Sequence, residues 1–390
     1  MKPSSIAICL LASSLLCAAG AGAGGAGVPL RVVTLNVKEG VGSPLDAAHQ
    51  ATGKFLTTID LDGPGPNSGL NPDVVALQEC RSDANLLAFR DAFLPGYTYH
   101  RLAQVDAGGN FQCLFVRPDI AVLDVDSYYI GGPRNLLRVT VQVPGVAGVT
   151  TFYNGHFKAF GDAQSVAQRR ANADQTGIAV YNDITLGLDL DDNGSRETPA
   201  GVSIVLGDFN SNNNLDGTLN GLFTHANLGT PTGVLNLAVE TLGGQNVGGA
   251  PIIATFPSSN SRLDYICLDG ATASVFNVDG VPGFSQAELN SMGFVYYSGD
   301  DAGRRSNGDS TATSFATDHR PVVFDVLLPA AAPECAGDLN GDLSVDFADL
   351  NMLLGSFNAA GAGLPGDLDG DGDVDFADLN ILLGLYNTVC

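Results

Sequence analysis

Val202-Ser-Ile-Val-Leu-Gly-Asp-Phe-Asn-Ser211 is the stretch on which the reading of this chain turns. Its β-branched and aliphatic run, Val202 to Leu206, predicts a short buried strand. The run stops at Gly207, and Asp208 and Asn210 follow. Side chains alternate faces along a strand, so positions i and i+2 point the same way. A carboxylate and a carboxamide would then leave the strand end side by side. That pair suits a hard divalent cation beside a phosphate oxygen: Asp neutralises, and Asn donates and accepts without adding charge. The same residues also spell an Asx turn with no chemistry in it. Chemistry gains weight because polar groups recur at the ends of other apolar runs.

Outward from this strand, Leu30–Val37 predicts a strand that delivers Asn36, and Val74–Leu77 one that ends in Gln78-Glu79. Phe111–Arg117, Ile120–Ile130, Leu136–Val143 and Val149–Tyr153 also read as strands. The last of these runs into Asn154-Gly155-His156. Helical spacing marks residues 46–59, 85–93 and 164–184. Arg262–Cys267 is a strand carrying Asp264, and Asp318-His319 precedes a final strand, Val322–Leu328. Several strands follow one another with no room for a helix. This favours stacked mixed sheets with helices outside over a purely parallel doubly wound sheet. If the sheets face each other, Asn36, Glu79, Asn154, His156, Asp208, Asn210, Asp264, Asp318 and His319 converge at one rim. Carboxylates, amides and two histidines without a thiol suit Mg²⁺ or Mn²⁺ rather than zinc. Such a set supports attack of water on a phosphate ester.

The order Leu35-Asn36, Ala76-Leu-Gln-Glu79, Asn154-Gly-His156, Gly207-Asp-Phe-Asn210, Arg262-Leu-Asp-Tyr-Ile266 and Thr317-Asp-His-Arg-Pro321 resembles the endonuclease/exonuclease/phosphatase superfamily over about residues 30–328. The resemblance implies an α/β fold, a four-layer α/β/β/α sandwich. It implies that Glu79 binds the metal with Asn36 close by, and that Asp318 completes the acidic site. Asp208 would orient or activate the water and Asn210 would steady the phosphate. His319, held by Asp264, would be the main histidine. His156, with Asn154 beside it, would be the second histidine seen in secreted deoxyribonuclease-like and sphingomyelinase-like members. Gly155 stands where the family usually has Thr. The strand around Asp264 lacks the Trp-Cys-Asp-Arg pattern of inositol polyphosphate phosphatases, which sets that branch aside. The expected activity is a metal-dependent phosphoric ester hydrolase, foremost a phosphodiesterase acting on nucleic acid. A phospholipid head group or small phosphate ester is the other substrate class, and an inert Ca²⁺-stabilised surface binding protein the non-enzymatic reading.

The C-terminal residues hold an internal repeat. Gly337-Asp-Leu-Asn-Gly-Asp-Leu-Ser-Val-Asp-Phe-Ala-Asp-Leu-Asn aligns with Gly366-Asp-Leu-Asp-Gly-Asp-Gly-Asp-Val-Asp-Phe-Ala-Asp-Leu-Asn. Alternating Asp and Asn oxygens ahead of a helix are the pattern of a Ca²⁺ loop. The first loop offers Asp338, Asn340, Asp342, Ser344, Asp346 and Asp349, and the second Asp367, Asp369, Asp371, Asp373, Asp375 and Asp378. Leu343 replaces the turn Gly in the first. The apolar residues Leu350, Leu353 and Leu354, then Leu379, Leu382 and Leu383, are predicted to pack once the charge is offset. The module, a small all-α domain over 338–390, resembles a type I dockerin (an EF-hand-like calcium fold). That resemblance implies a cohesin-like scaffold protein as partner.

Composition agrees with this division. Hydrophobic residues make up 45% of the 390, enough for a large core, and the net charge is −24. Glu334 and ten Asp fall in 333–390 without a Lys or Arg. An acidic chain repels bare nucleic acid at long range, so cleavage of a polyanion needs bound cations and local basic residues. Lys2 followed by the short apolar run Ile6–Ala19 reads as a secretory signal over 1–27. The expected plan is then a catalytic domain at 28–328, a Pro/Ala-rich linker at 329–337 and the tail. No segment is long and apolar enough to span a membrane. A secreted or cell-surface monomer is expected, with Cys335–Cys390 as the first candidate disulfide and Cys80–Cys113 as a second if their strands are neighbours.

Overall fold

The computed structural model describes residues 28–38, 40–41, 53, 56–57, 70–132, 134–191, 193–196, 198, 200–224, 239–240, 245–247, 250–252, 254–268, 293–295, 317–329, 337–361 and 364–389. The predicted signal, most of the predicted 46–59 helix, Cys335 and Cys390 lie outside them.

Two six-stranded sheets carry the molecule. The first joins β1 (Val28–Asn36), β2 (Val74–Cys80), β3 (Thr98–Arg101), β4 (Phe111–Val116), β13 (Gly293–Val295) and β14 (Val322–Leu328), in the order β13-β14-β1-β2-β4-β3. The second joins β5 (Ala121–Tyr129), β6 (Asn135–Gln142), β7 (Val149–His156), β8 (Ala200–Asp208), β9 (Val239–Glu240) and β12 (Asp264–Leu268), in the order β5-β6-β7-β8-β12-β9. A separate hairpin pairs β10 (Gln245–Val247) with β11 (Ala250–Ile252). The fold is mixed α/β, and so are the sheets: β1 runs parallel to β2 and β7 parallel to β8, while the other pairs are antiparallel.

Strand composition explains position. β2 and β4 read as largely apolar runs, and their residues, with those of β7, are buried almost without exception. β5, at the sheet edge, alternates apolar and acidic residues and is largely exposed. One apolar cluster takes Val32, Val33, Leu77 and Leu114 from the first sheet and Val139, Phe152, Ile204 and Leu206 from the second, and so binds the two together. Helix α1 (Asp83–Phe93) adds Leu86 and Phe89 to that cluster, with Phe89 against Phe115 of β4. Ser82 caps it by accepting from the Asn85 amide. Helix α2 (Ala163–Leu186), capped by Asp162, packs Ala173 and Val180 against Tyr153, Val205 and Cys267 of the second sheet. A short helix, α3 (Asn220–Thr224), lies beside α2.

Strand ends differ from the sequence reading in one direction. β7 and β8 continue through His156 and Asp208, two or three residues past the last apolar side chain. The parallel ladder pairs Asn154 with Leu206 and His156 with Asp208, so polar residues at the strand ends are held in place by their neighbour. Gly207 makes this possible. Its φ is 134°, and a Cβ there would run into the Gly155 carbonyl oxygen.

The tail forms its two predicted helices, α4 (Phe347–Gly355) and α5 (Phe376–Leu385). Val345, Leu353, Val374 and Leu382 make its core. Leu354 and Leu383 do not pack as expected and are exposed. They lie about 100° around the helix from the buried Leu353 and Leu382, off the one apolar face that a short helix pair can cover. The halves interlock: the Asn358 amide donates to Val374 O, and the Val345 amide to Thr388 O.

Candidate active site and its metal-binding residues

Asp208 is the centre of the site. It ends β8, buried, with Asp264 opposite it in the antiparallel β12 and His156 opposite it in the parallel β7. Its Oδ2 accepts from Asn36 Nδ2 at 2.9 Å, across the gap between the sheets. The same amide nitrogen donates to Glu79 Oε1 at 3.1 Å. His156 Nε2 lies 3.6 Å from both Glu79 Oε1 and Asp208 Oδ2. His319, in the turn before β14, holds Asp264 Oδ2 through Nδ1 at 2.7 Å and presents Nε2 3.7 Å from Asp208 Oδ2.

The backbone is bent to bring these groups together. A bulge between Leu77 and Cys80 breaks the β2–β4 register, and Glu79 sits in it with φ 57°. Bulges re-aim side chains beside functional sites, and a non-glycine residue in the left-handed region stores strain that its surroundings must offset. Thr317 ties the turn before β14 to the end of β1 at the same rim: its Oγ1 donates to Asn36 O at 2.6 Å and accepts from the His319 amide.

Burial and charge set the protonation states. Burial lowers the His319 imidazolium's stability, but the Asp264 and Asp208 carboxylates and the Asp264 hydrogen bond outweigh it and push the pKa up to about 10. Burial raises the Asp208 carboxyl, and Asp264 adds to the rise, against the pull of His319. His156 goes the other way: burial, with Arg134, His319 and Lys158 nearby, holds it well below its ordinary value and therefore neutral.

A match to the Endonuclease/Exonuclease/phosphatase family runs over residues 33–319. The chain belongs to that family. Its members are in general metal-dependent phosphoester hydrolases. No curated protein matches the chain. Similar solved structures include truncated Caenorhabditis elegans TDP2 (14% identity, 76% of this chain and 97% of that one, TM-score 0.44). They include a family protein from Bacteroides thetaiotaomicron (16%, 76% and 94%, 0.45) and the human Nocturnin catalytic domain with bound sulfate (15%, 77% and 95%, 0.46). The family match leaves the tail outside its bounds.

Donor chemistry of this family member fits a hard divalent cation. Two carboxylates, Glu79 and Asp208, meet on one amide, and among the described residues no Lys or Arg pairs with either. Asp208, Asp264 and His319 offer ligand atoms within 4.8 Å of one another. Asp264 Oδ1 and His156 Nδ1 are buried without a hydrogen-bond partner.

Several expected residues make contacts other than those read from the sequence. Asn154 does not reach the rim. It shares a face with His156, one layer deeper, and its amide is fully used between the sheets: Nδ2 donates to Leu77 O and Cys113 O, and Oδ1 accepts from Gln78. Its place is that of a sheet-to-sheet tie, because a buried carboxamide must satisfy both ends. Asn210 does not extend the strand beside Asp208. The chain turns, with φ 53° at Asn210, whose amide N donates to Asp208 Oδ1 and whose Nδ2 donates to Phe157 O. The Asx turn therefore forms, and it fixes Asp208 rather than excluding it from the site. Asp318 is partly exposed and pairs with Lys38 at 3.1 Å. Cys80 and Cys113 are neighbours, as free thiols with Sγ atoms 3.2 Å apart, and Cys267 is free and buried.

Sequence reasoning missed Thr255, whose Oγ1 accepts from the Leu263 and Asp264 amides while its carbonyl accepts from the Arg320 amide. It also missed Arg134, which donates to Phe157 O behind His156. Thr255 sits in a stretch with no periodicity to mark it.

In the tail, Asp349 and Asp378 are buried. Each accepts from three backbone amides, two at the loop start and one at the helix N-cap. These carboxylates close their loops as capping boxes. Asp338 accepts from three loop amides and Asp367 from two. Asn340, Asp342, Ser344, Asp346, Asp369, Asp371, Asp373 and Asp375 alternate around the turns. Asp367, Asp369 and Asp371 form one cluster that could hold an ion, and Asp373, Asp375 and Asp378 a second. Among the described residues no helix is long and apolar enough to cross a membrane.

Proposed function

We propose that the chain is a secreted, Mg²⁺- or Mn²⁺-dependent phosphodiesterase that hydrolyses nucleic acid, with a Ca²⁺-binding, dockerin-like tail that docks it to a cohesin-like scaffold. The observation that carries the catalytic reading is the meeting of Glu79 and Asp208 on the single amide of Asn36, with the Asp264–His319 pair against Asp208. Glu79, Asn36 and Asp318 would hold the cation. Bound there, it offsets the charge that grows on the phosphoryl oxygens.

The chain's own groups supply the rest. Asp208, raised by burial, is suited to take a proton from the attacking water. His319, protonated at neutral pH and oriented by Asp264 at Nδ1, donates from Nε2 to the phosphate or its leaving oxygen. His156, neutral, presents Nε2 between the two carboxylates. One amide hydrogen of Asn210 is spent on Phe157 O, and the other is left for a phosphate oxygen. The signal pattern at 1–27 supports secretion, and the Asp-rich repeat supports Ca²⁺ in the tail.

Assay of the purified protein on single- and double-stranded DNA, RNA, sphingomyelin and inositol phosphates, with Mg²⁺, Mn²⁺ or chelator, tests this. Expected is cleavage of nucleic acid that chelator abolishes. Cleavage that survives chelator, or hydrolysis of sphingomyelin alone, rejects it.

A further inference from the structure

Beside the phosphoester centre a cleft of about 400 Å³ opens from Asn210, lined by Phe160, Leu215 and Phe256 with Asn212 and Ser259 among its polar residues. The Phe256 ring lies 5.0 Å from that of His319, so the cleft begins at the reacting end of the site. Phe160 is 73% exposed and Leu215 80%. Exposed side chains at a site mouth contribute nothing to the core, and Phe160 also holds a left-handed backbone, φ 78°. Strain of this kind persists only where the surroundings fix it.

The fixing group is Arg169. Its buried guanidinium donates from Nη1 to Lys158 O at 2.8 Å and Phe160 O at 3.0 Å. Its Nη2 pairs with Asp216 Oδ2 at 2.6 Å, and Asp216 Oδ1 accepts from Ser211 Oγ at 2.6 Å. One guanidinium thus ties the segment bearing Phe160 to the one bearing Leu215. Lys158 Nζ sits 5.1 Å from the Phe160 ring centroid. Among the described residues no carboxylate pairs with Lys158, although the chain carries a net charge of −24. Lys158 and Arg134 also flank His156 in an adjoining small pocket.

We propose that this cleft is a nucleobase subsite: the base next to the scissile phosphate stacks on Phe160, and Lys158 faces that nucleotide's backbone phosphate. The inference rests on the nuclease reading above and narrows it to single-stranded or splayed nucleic acid. A planar ring needs a rigid exposed aromatic face, an adjacent phosphate needs an unpaired cation, and base edges need amides and hydroxyls. The cleft offers the first and the last, and Lys158, beside the Phe160 ring, offers the second. A lipid tail would use only the first. Stacking is tolerant of base identity, so sequence preference should be weak.

The test compares wild type, Phe160→Ala, Phe160→Trp and Lys158→Ala on a single-stranded oligonucleotide with Mg²⁺. Each protein is also titrated at equilibrium with adenosine 5′-monophosphate and with ribose 5-phosphate. Loss of one stacked base should raise KM about 10-fold in Phe160→Ala with kcat little changed, and Phe160→Trp should restore it. Wild type should prefer the nucleotide to the sugar phosphate by a similar factor, and Phe160→Ala should not. Lys158→Ala should raise KM and reduce the salt slope by about one. Equal binding of the two ligands by wild type, or an unchanged KM in Phe160→Ala, overturns the subsite. So does loss of sphingomyelin-vesicle hydrolysis in Phe160→Ala with oligonucleotide cleavage intact, which marks a membrane contact. Base-dependent binding without oligonucleotide cleavage removes the nuclease reading and leaves the subsite. Cleavage indifferent to Phe160 does the reverse.

Discussion

Asp264 and His319 are 55 positions apart in the chain and 2.7 Å apart in the fold. Their pairing explains both a reactivity and a stability. If His319 and the carboxylates act as proposed, Glu79→Gln, Asp208→Asn and His319→Ala each lower kcat by about 10²- to 10⁴-fold, with the circular dichroism spectrum retained. Near wild-type turnover in His319→Ala would remove it from the reaction. The same pair links stability to pH. The folded pKa of His319 lies above its ordinary value of 6.5, at about 10, so its stabilisation is full below pH 6.5 and is lost as pH rises through about 10. In chelator, the melting-temperature gap between wild type and His319→Asn should therefore narrow from pH 6 to pH 10. A gap that widens refutes the sign.

Among the elements, α2 owes its seat to one buried charge as much as to its apolar face. Asp183 is fully buried and accepts from Tyr128, Tyr153 and Arg196 at 2.7, 2.8 and 3.0 Å. Buried Arg138, on β6, lies 3.7 Å away and also pairs with Asp124 of the edge strand. Removing one member of such a group strands the others without water. Asp183→Ala should cost about 3–5 kcal/mol in chemical denaturation, more than its loss of volume implies. Opposite in sign is Leu343→Gly. Leu343 has φ 69° where the second loop has Gly372 at 92°. Glycine removes a strain of about 1–2 kcal/mol, so the variant tail should melt higher. No gain would mean that Leu343, though 47% exposed, is held by packing.

For the whole molecule, the question is whether the tail and the sheets work independently. Each has its own apolar cluster. A chain ended at Leu328 should keep its hydrolytic rate with Mg²⁺, and loss of rate in a folded truncation would contradict the two-module plan. In the tail, Asp oxygens crowd together with no Lys or Arg in 333–390 to offset them. Folding of 334–390 should then follow Ca²⁺, read as helicity by circular dichroism with and without chelator, since binding to the native state alone adds to its stability. Equal helicity in both conditions removes the Ca²⁺ requirement.

By itself the sequence determined the apolar runs, and with them most of the strands, α1, α2 and the two tail helices, because local periodicity records which face of an element is buried. Their polar ends named eight residues that do gather near one rim. The repeat at 337–384 was legible for the same local reason: its turns close on their own carboxylates. Only the tertiary structure decided that Asn36 bridges Glu79 and Asp208, that Asn154 is consumed between the sheets, and that β2 bulges at Glu79. It alone placed Asp183 among Tyr128, Tyr153 and Arg196, and Phe160 at the cleft mouth. Those facts depend on which strand lies beside which and on how two sheets stack. Hydrogen bonds between residues 43, 76 and 172 positions apart carry that information, and no local period encodes them.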